Sequence, residues 1–309
     1  MMGTGWTKDS MPDCSGKTVV ITGANSGIGL EAAIAMAEKN ATLVLAVRNM
    51  DKGQSALAKI KAARPEVQAE LMKLDLADLE SVRAFATACI QKYPSLDVLI
   101  NNAGIMNTPY RLTKDGFESQ FGSNHLGHFA LTGLLLPRLM STPASRVVTL
   151  SSIAAHNGRI DFNNLDGAKG YSSWKFYGQS KLANMLFARE LNNKLAEHGL
   201  NTISVACHPG FANTNLMSFN SGKRANPFIR LVTNLVSQSA YMGALPTLYS
   251  AVSPNIKGGE YIGPDGRGGR KGYPTNVPII DRLYDAEVSH RLWDVSEKLT
   301  GVTFSFEQQ

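Results

Sequence analysis

The sequence predicts an α/β fold in which one doubly wound parallel sheet lies between two layers of helices, all in a single domain. Three observations predict it. Apolar, β-branched runs alternate with helical stretches along most of the chain; those runs are apolar at successive positions; and a glycine-rich turn joins the first run to the first helix. A strand that is apolar throughout is buried on both faces, as in a parallel sheet covered by crossover helices. Right-handed crossovers then set how the chain winds through the sheet.

The elements follow in order. Residues 17–22 (KTVVIT) read as a strand and 29–39, rich in Ala, Leu, Ile and Glu, as a helix. A strand over 41–47, a helix over 52–63 and a weaker strand over 67–74 come next. Residues 79–92 are helical because Val82, Phe85, Ala86 and Cys89 recur at three- and four-residue spacing. Residues 96–100 are a strand, 116–139 contain a long helix, 146–150 are a strand, 174–198 a helix and 202–207 a strand. The rhythm breaks over 211–236. Glycine and proline make 258–274 a loop, and a final helix over 281–299 is expected to pack on the sheet. No linker divides the chain, so residues 17–309 read as one domain behind an extension of residues 1–16.

Composition narrows the function. The 309 residues are 43% hydrophobic and 18% charged, which suits one large core. The net charge of +6 is spread along the chain, with small clusters only at Lys223-Arg224 and 267–271. It fits an anionic, phosphorylated cofactor better than nucleic acid, and no nucleic-acid partner is expected. Three cysteines without CxxC spacing argue against a disulfide framework and a structural zinc. The first 18 residues carry Asp9, Pro12 and Asp13 and no apolar segment, and the apolar stretch 129–136 is far too short to span a bilayer. The expectation is a cytoplasmic protein without membrane contact.

The turn Thr22-Gly23-Ala24-Asn25-Ser26-Gly27-Ile28-Gly29 carries the first functional signal. Bare backbone lets the chain approach a pyrophosphate, and the N–H groups at the start of a helix face its charge. The spacing is G-x-x-x-G-x-G rather than the general G-x-G-x-x-G, and no Gly-Lys-Ser/Thr follows to make a mononucleotide loop. Such a turn also serves as a plain tight connection. Its position between strand and helix favours a Rossmann-type dinucleotide site on Gly23, Asn25, Ser26, Gly27, Ile28 and Gly29. Beyond the second strand, Val47-Arg48-Asn49 offers no carboxylate for a ribose 2′-hydroxyl, whereas the Arg48 fork suits a 2′-phosphate. NADP(H) is therefore expected over NAD(H), with Arg48 and Asn49 at its ribose; read otherwise, Arg48 is a surface residue at a strand end. Asp75, followed by Leu76, either meets the adenine or caps the next helix.

Tyr177 and Lys181, four apart on a helix, share one face, and Ser152 follows the strand over 146–150. A phenol of pKa about 10 is a poor acid or base at neutral pH. A cation roughly 4 Å away at an effective dielectric near 20 supplies on the order of 4 kcal/mol, enough to draw Tyr177 down by about three pH units. Ser152 would hold the substrate oxygen against the phenol. A bare Y-x-x-x-K also occurs on ordinary helix faces.

Together these residues make the chain resemble the short-chain dehydrogenase/reductase family in its single-domain form. Residues 22–29 fit its TGxxxGxG turn, and Asn101-Asn102-Ala103-Gly104 its NNAG segment. Asn124, Ser152, Tyr177 and Lys181 fit its catalytic tetrad, and Cys207-His208-Pro209-Gly210 with Thr214 its nicotinamide segment. The strings 124–129 (NHLGHF), 180–184 (SKLAN) and 292–296 (LWDVS), with the separation of Ser152 from Tyr177, are similar to retinol-dehydrogenase-like and protochlorophyllide-reductase-like members. The resemblance implies that Asn124 anchors a water linking Lys181 to solvent. It also implies that Lys181 bonds the nicotinamide ribose and that Ser152, not Ser151, is catalytic. Asn102, Ala103, Gly104, Pro209, Gly210 and Thr214 would touch the cofactor, and homodimers or homotetramers are common in the family.

Met106, Tyr110, His156, Trp174 and Phe211 flank these motifs and either line an apolar pocket, pack in the core or anchor loops. The resemblance places a substrate lid over 211–236, where Phe228, Ile229, Leu231, Val232 and Leu235 either close over a ligand or dock on the body. His125 and His128 have no third ligand in view, so no metal site is expected. The expected activity is NADP(H)-dependent hydride transfer to or from an apolar aldehyde, ketone or alcohol. The alternatives are reduction of a carbon–carbon double bond and a non-catalytic NADP(H) sensor on the same fold.

Overall fold

The computed structural model describes residues 5–211 and 238–307. Eight strands form one sheet: β1 (Thr18–Thr22), β2 (Thr42–Val47), β3 (Ala69–Lys73), β4 (Val98–Asn101), β5 (Arg146–Leu150), β6 (Ile203–Cys207), β7 (Tyr261–Pro264) and β8 (Pro274–Asn276). Their order is β3-β2-β1-β4-β5-β6-β7-β8. Neighbours from β3 to β7 are parallel, and β8 joins antiparallel at the edge. Winding reverses between β1 and β4, so a crevice opens at the carboxyl ends of those two strands, where such sheets bind ligands.

The described helices are α1 (Gly27–Glu38), α2 (Met50–Ala63), α3 (Leu79–Lys92), α4, α5 (Ser173–Glu197), α6 (Ala240–Val252), α7 (Ile279–Leu283) and α8 (Ala286–Thr300). Helix α4 runs through Ser119–Phe121, a π turn at Gly122–Leu126, and Gly127–Met140. The inner strands β1, β2, β4, β5, β6 and β7 are buried on both faces, as their apolar runs demand, while β3 and β8 at the two edges are not. One face packs Met36 of α1 and Leu245 and Leu248 of α6 against Val19, Ile21 and Leu43. The other packs Phe85 of α3, Leu135 of α4 and Leu191 of α5 against Val20, Val44 and Leu99.

Four features differ from the sequence reading. The stretch 258–274 is not all loop: it contains β7, whose Tyr261 and Ile262 are fully buried, and it ends at β8. Proline at the first residue of a short edge strand forfeits little of the ladder, which is why Pro274 is tolerated there. Helix α6 occupies a region that the sequence reading leaves unassigned. The expected final helix is two, because α7 ends at Leu283 and the Asp285 carboxylate starts α8 by accepting from the Val288 N–H at 3.0 Å. Helix α8 packs on α4 and α5 rather than on the sheet. Its Trp293 ring lies 5.2 Å from Phe129, 5.9 Å from Phe187 and 4.5 Å from Phe304.

The segment before β1 is built into the body. Trp6 meets Tyr249 edge-on at 5.3 Å, Lys8 pairs with Glu38 at 2.7 Å, and Met11 and Cys14 are buried. No helix among the described residues is long and apolar enough to cross a membrane.

Trp293→Ala removes the centre of the aromatic cluster under α8. A loss of about 3–5 kcal/mol in unfolding free energy is expected from urea denaturation. A loss below about 1 kcal/mol would mean that α8 is not held by this cluster.

Candidate active site

The glycine turn is shaped by what lies across from it. Gly23 and Gly27 have positive φ (67° and 55°), a region that side chains disfavour. A Cβ on Gly29 would lie 2.5 Å from both Asn102 Nδ2 and the Gly23 carbonyl. That space is filled by the segment after β4. Asn102 Nδ2 donates to the Thr22 carbonyl at 2.7 Å, and the Asn102 and Ala103 N–H groups donate to the Thr22 hydroxyl at 2.9 Å each.

Among the described residues, no side chain caps the leading N–H groups of helix α1. Its cap, Ser26, makes no side-chain bond, and no acidic residue lies in its first turn. Helices α2, α3 and α8 are capped by Asn49, Asp78 and Asp285. A helix start without its own cap, reached through bare backbone at Gly23 and Gly27, fits a pyrophosphate.

The other cofactor candidates lie at the same end of the sheet. Arg48 and Asn49 are exposed beyond β2, and Asn49 Oδ1 accepts from the Lys52 N–H at 2.8 Å to start α2. The Asp75 carboxylate accepts from the Ala77 N–H at 3.0 Å and closes its own turn. Asp78 caps α3 in its place, so the helix-cap reading of Asp75 does not hold. Leu76 is half-buried, its carbonyl so close to Gly127 that a Cβ there would lie 2.5 Å from it. Past β6, the Pro209 carbonyl accepts from Gln238 Nε2 at 2.7 Å, and the Gly210 N–H donates to His208 Nδ1 at 3.2 Å. Thr214 and the expected lid residues Phe228, Ile229, Leu231, Val232 and Leu235 lie outside the described residues.

The acid/base candidates converge above β4 and β5. Lys181 Nζ lies 6.0 Å from the centre of the Tyr177 ring, and the two residues are only 4% and 6% exposed. The ammonium donates to the Leu150 carbonyl at 3.1 Å, which also accepts from Asn184 Nδ2 at 2.9 Å. Ser151 spends its hydroxyl on the Lys181 carbonyl at 2.7 Å. Ser152 Oγ accepts from the Ala154 N–H at 3.2 Å, and its hydroxyl acts to lower the Tyr177 pKa. Asn124 is pinned by its side chain: Oδ1 accepts from the Ile105 N–H at 2.8 Å, while Nδ2 donates to the Ile105 carbonyl at 2.9 Å and to Ser180 Oγ at 3.0 Å. Gly104 closes the group, since a Cβ there would lie 3.3 Å from Asn124 Oδ1 and 3.4 Å from Lys181 Nζ.

The electrostatics depart from expectation. Burial raises the Tyr177 pKa, and the Ser152 hydroxyl opposes that rise. Burial lowers Lys181 to about 8. The expected pull of Lys181 on the phenol is overridden because both groups sit in a desolvated pocket that disfavours either charge.

Among the apolar candidates, Trp174 is 59% exposed and meets the Tyr177 ring edge-on at 6.2 Å. Tyr110 and Phe211 are also exposed, so none of these three is core. Met106 is half-buried, and His156 packs on His208 and Tyr261. His125 and His128 serve separate networks: His125 Nε2 meets Ser296 Oγ at 2.9 Å, and His128 Nε2 meets Thr22 Oγ at 2.9 Å. The sequence reading missed Asn184 and Gln238 as supports of the site. Asn184 had a signal, one turn after Lys181 on the same face; Gln238 had none, because its partner is 29 residues away.

The short chain dehydrogenase family profile matches residues 17–224. The chain belongs to this family. It is 41% identical over 292 residues to mouse (Mus musculus) retinol dehydrogenase 12, covering 93% of this chain and 87% of the relative. It is 38% identical over 306 residues to human (Homo sapiens) retinol dehydrogenase 13, covering 97% and 89%. Among solved structures, an uncharacterized protein from Mycobacterium paratuberculosis aligns with a TM-score of 0.81 at 43% identity, covering 98% of this chain and all of that one (100%). A short chain dehydrogenase from Shigella flexneri, solved in complex with NADP, shares the fold with a TM-score of 0.64 at 22% identity, covering 82% and 98%.

The Lys181 shift has a sign that can be checked. Below about pH 8 the lysine is charged in both folded and unfolded chains, and the burial penalty acts in full. From about 8 to the ordinary 10.5 the folded lysine is neutral while the unfolded one still holds its proton, so the penalty fades as pH rises. Lys181→Met should therefore stabilise the fold at pH 7 by up to roughly 3 kcal/mol, with the gain vanishing near pH 10.5. Thermal melts of both proteins across this range measure it; a loss of stability that is the same at every pH would contradict the burial argument.

Proposed function

We propose that this short chain dehydrogenase is an NADP(H)-dependent oxidoreductase acting on the carbonyl or alcohol carbon of an apolar small molecule. The observation that carries the proposal is the buried Tyr177 with Lys181, also buried, one turn along α5 and 6.0 Å from the centre of its ring. The nicotinamide, when bound, supplies or accepts the hydride. The leading N–H groups of α1, with Gly23, Asn25, Ser26, Gly27, Ile28 and Gly29, hold the pyrophosphate, and Arg48 meets the 2′-phosphate. Asn49, Asp75 and Leu76 line the adenosine side. Asn102, Ala103, Gly104, Pro209, Gly210 and Thr214 frame the nicotinamide end, where Lys181 turns its ammonium to the ribose hydroxyls.

In the reducing direction Tyr177 gives its proton to the carbonyl oxygen as negative charge develops there, and Ser152 donates a second hydrogen bond to that oxygen. Burial keeps the phenol protonated at neutral pH, which suits an acid. In the oxidising direction the Lys181 ammonium, charged below about pH 8, lowers the cost of the phenolate. Asn124 steadies the segment at Ile105. The exposed Trp174, Tyr110 and Phe211 support an apolar substrate. The retinol dehydrogenase names of the relatives support an alcohol or aldehyde with a long apolar body.

Tyr177→Phe should cut turnover by about 10²–10⁴-fold while NADPH affinity stays within a few-fold. NADPH absorbance with a panel of aldehydes, ketones, quinones and alcohols, polyene aldehydes among them, reads the first, and NADPH fluorescence titration the second. Undiminished turnover would reject the acid/base role.

Arg48→Ala should weaken NADPH binding roughly tenfold or more and NADH binding hardly at all. An equal effect on both cofactors would remove the phosphate contact from the proposal.

A further inference from the structure

We propose that His128 is a positioning residue that couples the cofactor-side turn to the acid/base group, each ring nitrogen holding one of the two. The inference rests on the proposed function for what the two halves do, and on geometry alone for the bridge. His128 lies on α4 just past the π turn and is 0% exposed. Its Nδ1 is 2.9 Å from the main-chain carbonyl of Asn124. A carbonyl has no proton to give, so Nδ1 donates. Burial pushes the ring's pKa down to about 4, so it is neutral and Nε2 is left an acceptor. The Thr22 hydroxyl, 2.9 Å away, donates to it; the Ile100 carbonyl at 3.3 Å is the longer alternative for that proton. With its proton placed, the Thr22 oxygen accepts the Asn102 and Ala103 N–H groups on its two lone pairs.

The result is a continuous chain of directed hydrogen bonds. It runs from the Asn124 carbonyl through one imidazole and one hydroxyl to the segment that frames the nicotinamide end. The π turn makes the first link available. There the Gly127 N–H reaches back to the Gly122 carbonyl, five residues away, and the regular four-residue ladder is interrupted. The imidazole then ties the Asn124 main chain while Ile105 holds its side chain from the other side. Buried and fully satisfied on both nitrogens, His128 allows one tautomer only, and so one relative placement of β1's end and the π turn.

Two substitutions each preserve one link. H128N keeps an amide donor where Nδ1 stands and loses the Thr22 link; H128Q keeps an acceptor where Nε2 stands and loses the Asn124 link. In H128N the Kd for NADPH should rise roughly tenfold while kcat stays within about threefold. In H128Q kcat should fall roughly tenfold while Kd stays within about threefold. Thr22→Val should resemble H128N in Kd. Fluorescence titration with NADPH reads affinity whether or not a substrate has been found, and thermal melts record any loss of fold. The proposal is overturned if both histidine variants lose affinity and turnover together in proportion to their loss of melting temperature, or if H128N binds NADPH as tightly as the unsubstituted chain. A chain that binds NADPH but turns over no member of the panel would refute the functional reading instead, with the Kd contrast between H128N and H128Q still deciding the bridge.

Discussion

The site depends on how closely two backbone segments approach across the point where the sheet reverses. The turn after β1 and the segment after β4 leave neighbouring strands side by side, and nothing larger than a hydrogen atom fits on Gly29 between them. Asn102 fills the gap and bonds the last residue of β1 through its amide. This contact keeps the start of α1 open to an anion and sets the height of residues 102–104. A Cβ on Gly104 would then lie 3.3 Å from Asn124 Oδ1 and 3.4 Å from Lys181 Nζ. A side chain added at either of these glycines would push apart the segments that meet there.

The second constraint is desolvation. Tyr177, Lys181, His128 and Cys207 all lie in a region where burial, rather than a neighbouring charge, is the largest influence on their ionisation. The lysine has a main-chain carbonyl as its partner, not a carboxylate. A cation held that way is only lightly compensated, and it is available to hydroxyls brought within its reach. The cost of burying it belongs to the fold. The same low polarity strengthens any hydrogen bond made to a reacting oxygen.

Much of this was legible in the sequence, for identifiable reasons. Strands β1, β2, β4, β5 and β6 announce themselves because burial on both faces makes them largely apolar, and the glycine turn and the Tyr177–Lys181 pair are local patterns of fixed spacing. What was not legible depends on distant partners. β7 is a strand because β6 offers it a parallel edge, not because its residues look like one. Helix α8 seats on other helices because Phe129, Phe187 and Phe304 meet around Trp293, a cluster assembled from four remote segments. Asp75 and Asp78 are three residues apart and equally suited to cap a helix; only the backbone decides that Asp78 does so. The charge balance between Tyr177 and Lys181 was misjudged because spacing on a helix says nothing about how much water surrounds the face.

The segment ahead of β1 shows where a family boundary and a folding boundary part. The family match starts at residue 17, yet Met11 and Cys14 belong to the same buried cluster as Met36 and Leu43. The Cys14 N–H also donates to the Lys39 carbonyl at 2.7 Å, sealing the end of α1 opposite the glycine turn. Removing residues 5–16 would expose an oily strip along α1 and α6, and the helix that begins at the glycine turn would lose its brace at the far end. For this chain, the first dozen described residues work as a doorstop for the helix rather than as a tail.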